Sequence, residues 1–433
     1  MNDRARMRRA PTARPVPTRM AAGCLAGLAL ALGACGNPAP LDTADKDNQN
    51  IIAGFSANDP RLDPVGSMVL ITPWFTYEQL CTASLLTPET VVTATHCVEI
   101  IPFAYSLGYK VGFAIGPNLA FPSQVMEVAS FAAAPFGEPD FFGMGRDVAI
   151  LHLEHPLTGV ETVDLGTLAD TDVGVAFAAI GYGVQDNGGT YGTRRVGKQT
   201  VTALEGKVYE AFFGSFAAFL DWALTGNPPP PHSLVGMAAA AEAAEEPPPI
   251  DPGFLEFLQM IYDSLLIEPG YEVVTGTAAG DSQTCYGDSG GPLLRKVGER
   301  LVTYGVVSRG PSSNDLICDI GTIYDTYGPE TMAFLEEEKA WVDPCGDMDS
   351  TGLCDGNVAT RCTNPVEGRR RVVTFDCGIL GMTCNKVEGQ QVSCDSNPFE
   401  PPPPMRPPGA PVPDIKALVN NAFRLTPAEV ARK

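Results

Sequence analysis

A nucleophile, a base and an acid can be identified in this chain from residue types and their neighbours. Ser289 follows Asp288 and lies among glycines in the segment CYGDSGGP, residues 285–292. Glycines there leave room for a substrate to come close to the backbone. His96 follows one apolar run and Asp147 opens another. A serine nucleophile needs a base to accept its proton, and that base needs an acid to fix its tautomer. The order His, Asp, Ser is one of the few in which such a triad occurs.

The backbone around Ser289 also suits the chemistry of a charged intermediate. The amides of Gly287 and Ser289 are candidates for an oxyanion hole. We expect His96 to act as general base and then general acid, Asp147 to orient it, and Ser289 to attack a carbonyl. Taken alone, a Gly-Asp-Ser-Gly segment is also compatible with an ordinary turn, and the two upstream partners are what argue against that interpretation.

The elements that must position these residues are short strands separated by turn residues. The pattern predicts strands over Ser67–Thr72, Cys81–Leu86, Thr90–Ala94, Lys110–Ile115 and Val148–Leu153. Many short strands with Gly and Pro turns indicate an all-β barrel or sandwich.

The His96-Cys97 pair and the GDSGGP motif together resemble the trypsin-like (chymotrypsin-fold) serine proteases, over residues 51–343. The resemblance implies two six-stranded antiparallel β-barrels. It also implies a serine endopeptidase that forms an acyl-enzyme on a protein or peptide substrate, with no metal or other cofactor. The alternative is a catalytically silent binding protein on a protease fold, with adhesion through a C-terminal Cys-rich module.

The resemblance further implies disulfides and substrate contacts. Cys81 would pair with Cys97, and Cys285 with Cys318. The implied substrate-binding residues are Gln283, Ser308, Arg309, Gly310 and Thr322. Two of these depart from the family pattern, since an aromatic residue usually stands where Arg309 does, and trypsin itself has an aspartate where Gln283 stands. We therefore do not predict cleavage after arginine or lysine.

Activation in this family frees a new N-terminus, which here would be Ile51. Its amine would pair with Asp288, because a buried carboxylate needs a partner. Asn50 precedes the cut, where the family usually has arginine or lysine. The other interpretation is that Ile51 merely begins the first strand.

The N-terminal 35 residues predict export. Six arginines precede an apolar run from Met20 to Leu32, which is too short for a comfortable membrane span and is typical of a signal peptide. The run ends in Leu-Gly-Ala-Cys35, which resembles a bacterial lipoprotein box with Cys35 as the lipid-modified residue. The alternative is an ordinary secretory signal. Residues 36–50 are interpreted as a propeptide or tether. From the signal peptide and Cys35 we expect an envelope lipoprotein of the outer membrane, or a protein secreted after cleavage.

Composition agrees with an exported protein and argues against one class of partner. Twelve cysteines indicate an oxidising compartment, and the net charge of −22 argues against nucleic-acid binding. The membrane would be contacted only through a lipid on Cys35.

Three further regions depart from a minimal protease. Residues ~205–270 form a long insertion with helical patterns at Ala211–Leu224, 237–246 and Phe254–Leu266, which is either a lid or extra packing on the barrel. Residues 344–396 hold six cysteines and predict a small disulfide-rich module, which binds a surface or substrate or serves as a passive stalk. Fifteen disulfide pairings are possible for six cysteines. Residues 397–433 are a Pro-rich linker and tail.

Overall fold

The computed structural model describes residues 55–72, 76–135, 137, 146–185, 189–226, 251–311, 318–346, 348–364, 368–380 and 382–395. The predicted signal peptide with Cys35, the tether, Ile51, the helical pattern at 237–246 and the Pro-rich tail lie outside these residues.

The first β-barrel is closed by six antiparallel strands. A short strand, β1 (Phe55–Ser56), precedes it. The barrel order is β2-β3-β4-β7-β6-β5, with β2 (Val65–Ile71), β3 (Tyr77–Thr87), β4 (Thr90–Thr93), β5 (Lys110–Ile115), β6 (Gln124–Ala133) and β7 (Ala149–Leu153). Every residue of β2 is buried, because Met68 and Leu70 face the barrel core while Val69 and Ile71 pack against Tyr182 of the second barrel.

The second barrel closes in the order β9-β10-β13-β16-β15-β14 and back to β9. β1 pairs with β10, β8 joins β15 in parallel, and β11 and β12 form a separate ribbon. The strands are β8 (Asp164–Leu165), β9 (Ala176–Gly181), β10 (Arg195–Ala203), β11 (Gly206–Lys207), β12 (Leu266–Ile267), β13 (Glu272–Thr275), β14 (Pro292–Val297), β15 (Arg300–Arg309) and β16 (Thr322–Thr326). The predicted fold of two six-stranded antiparallel barrels is confirmed.

Buried polar side chains join the two barrels. The Tyr182 hydroxyl lies 3.0 Å from the carbonyl oxygen of Val65 and 2.7 Å from that of Gly116. The fully buried Arg194 donates to the carbonyl of Leu62 and, over 2.8 Å, to the carboxylate of Asp63. An unpaired buried cation would destabilise the fold, so these bonds hold the second barrel against the segment that leads into the first barrel.

Helices connect and flank the barrels. They are α1 (Thr95–Val98), α2 (Ile101–Ser106), α3 (Val208–Phe213), α4 (Phe216–Thr225), α5 (Pro252–Ser264) and α6 (Pro329–Ala340). Short 3-10 turns occur at Pro60–Leu62, Asp170–Asp172 and Cys377–Leu380. Among the described residues, the helices are too short or too polar to cross a bilayer.

The helical pattern predicted over Ala211–Leu224 is confirmed, with a break after Phe213 that divides it into two helices. Gly214 adopts a left-handed conformation that ends α3, and the Ser215 side chain caps α4. Aromatic side chains of α3, α4 and α5 pack with Val274, Ile320 and Ile323 of the second barrel. The described part of the insertion therefore forms a hydrophobic layer on that barrel.

The C-terminal module consists of short strands held by three disulfides. Its strands are β17 (Leu353–Asp355), β18 (Val358–Cys362), β19 (Val372–Asp376), β20 (Thr383–Asn385) and β21 (Ser393–Asp395). The disulfides are Cys345–Cys362, Cys354–Cys384 and Cys377–Cys394. Arg369 of the module pairs with Glu338 on α6, and Glu338 also lies 2.8 Å from Nε2 of His152 on β7.

Candidate active site

His96 and Asp147 are brought together by the pairing of β4 with β7. Thr93 lies opposite Ala149 in this pair, so α1, which begins after β4, meets the residues before β7. His96 Nδ1 lies 2.6 Å from Asp147 Oδ2, and the His96 amide donates to Asp147 Oδ1 over 2.9 Å. The two bonds fix the imidazole tautomer, with Nδ1 carrying the proton toward the carboxylate.

The electrostatics of this pair favour a charged acid beside a basic imidazole. Burial lowers the pKa of His96, but the Asp147 carboxylate more than offsets it, so the pKa of His96 lies above its usual value. Burial raises the pKa of Asp147, while His96 and the Ser308 hydroxyl lower it, and the net pKa lies below its usual value. This is the arrangement that stabilises an imidazolium during proton transfer.

Ser289 lies against the strands that lead into His96. The Thr82 amide of β3 donates to the Ser289 carbonyl over 2.8 Å. At Gly290 a Cβ atom would come within 2.1 Å of Thr93 Oγ1 and 2.9 Å of the Ala94 amide nitrogen, and Gly290 has a positive φ of 76°. Only glycine fits so close an approach. The backbone of Ser289 and Gly290 therefore lies beside β3 and the end of β4, the strand that leads into His96.

Hydrogen bonds to two carbonyl groups fix the directions of the Gly287 and Ser289 amides, because each amide shares a planar peptide group with one of these carbonyls. The Tyr286 carbonyl accepts from the Val184 amide, and the Asp288 carbonyl accepts from the Gly291 amide, both over 2.8 Å. In a trans peptide the N–H points away from the C=O. Both amides therefore point away from the groups that hold these carbonyls, an orientation compatible with an oxyanion hole.

Asp288 is a buried carboxylate held by backbone amides. Its two oxygens accept from the Gly183 amide over 2.8 Å and from the Cys285 amide over 2.9 Å. Burial raises the pKa of Asp288 to about 7, although both amides oppose this. The predicted partner of this group, the amine of Ile51, lies outside the described residues.

Gln283 and Thr322, the predicted pocket residues, lie near each other and are bonded to uncharged groups. Gln283 Nε2 donates to the Gly276 carbonyl over 2.7 Å, and the Thr322 hydroxyl lies 2.7 Å from that of Thr284. Asp281, the nearby acid, is buried and lies within 3.1 Å of Lys198 Nζ and within hydrogen-bond distance of Thr200. The Asp281 carboxylate is therefore bound by these two residues.

The side chains of Ser308 and Arg309 point inward, which the sequence analysis did not anticipate. The Ser308 hydroxyl donates to Asp147 Oδ2 over 2.7 Å, and Arg309 pairs with Glu272. Gly310 lies against the carbonyl of Gly321, where a Cβ atom would come within 2.5 Å. Sequence reasoning missed Glu272 and Asp325, and the one available signal was an acid next to apolar or β-branched residues, in the segments EVVT and TIYDT.

Two disulfides lie close in the chain to His96 and Ser289. Cys81 is joined to Cys97, next to His96, and Cys285 to Cys318, close to Ser289. Within the described residues, two groups have the ligand types and spacing for a metal ion, one around His96 and one around Asp343. Both rely on cysteines that form disulfides, so their sulfurs are not free thiolates.

A sequence model described as Trypsin matches residues 52–211 and 270–326, about half of the chain. The unmatched stretch between these two parts contains α4 and α5, so these helices are additions to the family core.

Proposed function

Because the chain belongs to the trypsin family, we propose that it is a serine endopeptidase that hydrolyses peptide bonds of proteins through an acyl-enzyme. The observation that carries the proposal is the hydrogen-bonded His96–Asp147 pair, with the Ser289 segment packed against the strands that precede His96. A family fold alone does not establish an activity.

In the proposed reaction, Ser289 Oγ attacks the scissile carbonyl carbon while His96 Nε2 accepts the hydroxyl proton. The amides of Gly287 and Ser289 bind the oxyanion. Collapse of the tetrahedral intermediate breaks the C–N bond, and His96 gives its proton to the leaving amine. Water then attacks the acyl-enzyme with His96 as base, which releases the acid product and restores Ser289.

We further propose that the protein is exported and activated by cleavage after Asn50. The new Ile51 amine would neutralise the buried carboxylate of Asp288, which has two amide partners and a raised pKa. If Cys35 carries a lipid, this cleavage would also release the protease from the membrane, because residues 36–50 contain no cysteine to keep it attached. Mature protein that begins at Ile51 and stays in the membrane fraction after detergent-free washing would contradict the release.

Labelling with a fluorophosphonate probe, combined with N-terminal sequencing, tests the enzyme and its activation together. We expect Ser289 to be labelled on a chain that begins at Ile51, and Ser289→Ala to abolish labelling and lower kcat at least about a thousandfold. Labelling of an uncut chain would support the peptidase function but would contradict activation by cleavage before Ile51. Failure to label either form would favour the binding-protein alternative, with the Cys-rich module as its adhesive part.

A further inference from the structure

A second buried acid lies directly behind the predicted catalytic acid. Asp325 on β16 is 1% exposed, and its Oδ2 accepts a hydrogen bond from the Asp147 amide. Its neighbour across the sheet is Glu272 on β13, itself 8% exposed. Three carboxyl groups, those of Asp147, Asp325 and Glu272, therefore lie within one small region of the protein interior, where like charges destabilise one another strongly.

Among the residues that the structure describes, one arginine, Arg309, pairs with these acids. Arg309 on β15 pairs with the Glu272 carboxylate through Nη2, and its Nη1 lies 3.9 Å from Asp325 Oδ1. The same Nη1 donates to the Ser308 hydroxyl oxygen over 3.2 Å. The guanidinium is only 16% exposed, so it is turned into the protein. Its planar donors suit several acceptors at once, which a lysine ammonium does less well.

These bonds give Arg309 a route to the imidazole. The Ser308 hydroxyl has one proton, which it donates to Asp147 Oδ2. Because Arg309 donates to the oxygen of that hydroxyl, the proton is directed toward Asp147. The order of contacts is then Arg309, Ser308, Asp147 and His96, and each step is a hydrogen bond.

We propose that Arg309 is a positioning residue of the triad, which orients the Ser308 hydroxyl toward Asp147 and compensates the buried acids Asp325 and Glu272 that lie beside it. The inference rests on the proposed peptidase function. It assigns to Arg309 a role beyond the substrate contact expected from its place in the chain.

The electrostatics of the cluster agree with this role. Burial raises the pKa of Asp325 well above its usual value, and Arg309 opposes that rise. The charged groups that act on His96 come from three elements: Asp147 before β7, Glu99 after α1, and Arg309 on β15. The two acids raise the pKa of His96, and Arg309 lowers it. Removal of Arg309 should therefore raise the pKa of His96.

The test is steady-state kinetics of the active enzyme with Arg309→Met, Arg309→Lys and Glu272→Gln. We expect Arg309→Met to lower kcat about tenfold to a hundredfold with little change in KM, as displacement of a catalytic group does. The acid limb of the kcat/KM profile should move to higher pH. Glu272→Gln removes a negative charge instead, so its acid limb should move to lower pH. Arg309→Lys should recover part of the lost kcat.

The matched control is Arg300→Met, in the same strand, where the arginine pairs with Asp164 at the surface. It should leave kcat and the pH profile unchanged. A raised KM with normal kcat in Arg309→Met would overturn the proposal in favour of direct substrate binding. Equal pH profiles in all variants would reduce Arg309 to a structural residue. If Arg309→Met does not fold, the Glu272→Gln shift still decides the question. An unlabelled, inactive wild-type protein would instead refute the proposed function itself.

Discussion

The buried carboxylate of Asp288 should make the uncut protein lose stability as the pH rises. The folded-state pKa of Asp288 is about 7, raised from an ordinary value of 3.8 by burial. The folded protein therefore holds a proton over a pH range in which the unfolded chain has released it. The stabilising contribution is complete below the unfolded pKa and is lost as the pH rises through about 7. A shift of about three units corresponds to about 4 kcal/mol.

The assay is urea unfolding of the uncut chain at pH values from 4 to 8, in a Ser289→Ala background that prevents self-digestion. Asp288→Asn retains the shape of the side chain but has no titrating proton. The free energy of unfolding of the parent, minus that of Asp288→Asn, should fall by about 4 kcal/mol over this range.

Asp164 provides a control, because its pKa is shifted in the opposite direction from that of Asp288. The pKa of Asp164 is lowered, chiefly by hydrogen bonds from Arg300 at the surface, so Asp164→Asn should show no fall in the same difference. A difference for Asp288 that stays constant within about 1 kcal/mol would refute the reasoning, because it would mean that the carboxylate already has a cation. In a chain cut after Asn50, the Ile51 amine should supply that cation, and the fall should disappear.

Two further predictions concern contacts outside the triad. Phe212 of α3 lies against Gly321, where a Cβ atom would come within 2.7 Å of its ring, and Gly321 in turn backs Gly310. Phe212→Leu should therefore raise KM and lower the free energy of unfolding by about 1–2 kcal/mol. Phe213→Leu, at an equally buried neighbouring position, should lower the free energy of unfolding by a similar amount and leave KM unchanged. Equal KM values in the two variants would refute the idea that Phe212 supports Gly310, a predicted substrate-binding residue. Arg369→Met should destabilise the protein by about 1–3 kcal/mol in urea unfolding and speed proteolytic release of the module, because it deprives the buried Glu338 of its cation. In the parent protein, burial and then Arg369 lower the pKa of His152 to about 4, so Arg369 is the cation that pairs with Glu338 at neutral pH. An unchanged unfolding midpoint in Arg369→Met would contradict this account.

The proposed triad is the part of the candidate site that the sequence marks most clearly. Ser289 is marked by the glycines around it, and His96 and Asp147 each follow or open an apolar strand. The strand at Lys110–Ile115 was predicted with its observed bounds, because its pattern is local. The strand β16 was not predicted, because Asp325 interrupts its apolar pattern and because its pairing partner β13 lies about fifty positions upstream.

Two kinds of detail depend on tertiary contacts and could not be predicted. The module's cysteines allow fifteen pairings, and only the folded strands bring Cys354 to Cys384. The direction of the Arg309 side chain likewise depends on β13 and β16. From sequence this residue appeared to face the substrate, whereas in the structure its guanidinium contacts Glu272.

The position of Arg309 links these observations into one physical argument. An arginine turned inward beside the triad would be strongly destabilising if it were unpaired. Two buried acids, Asp325 and Glu272, would be equally unfavourable without it. Each of the three is therefore tolerable only in the presence of the others, and together they surround the amide of Asp147 and the hydroxyl of Ser308. Replacing Arg309 alone by an aromatic residue should therefore lower both the activity and the stability of the protein. The same replacement combined with Asp325→Asn and Glu272→Gln should lower the stability less than the single replacement does.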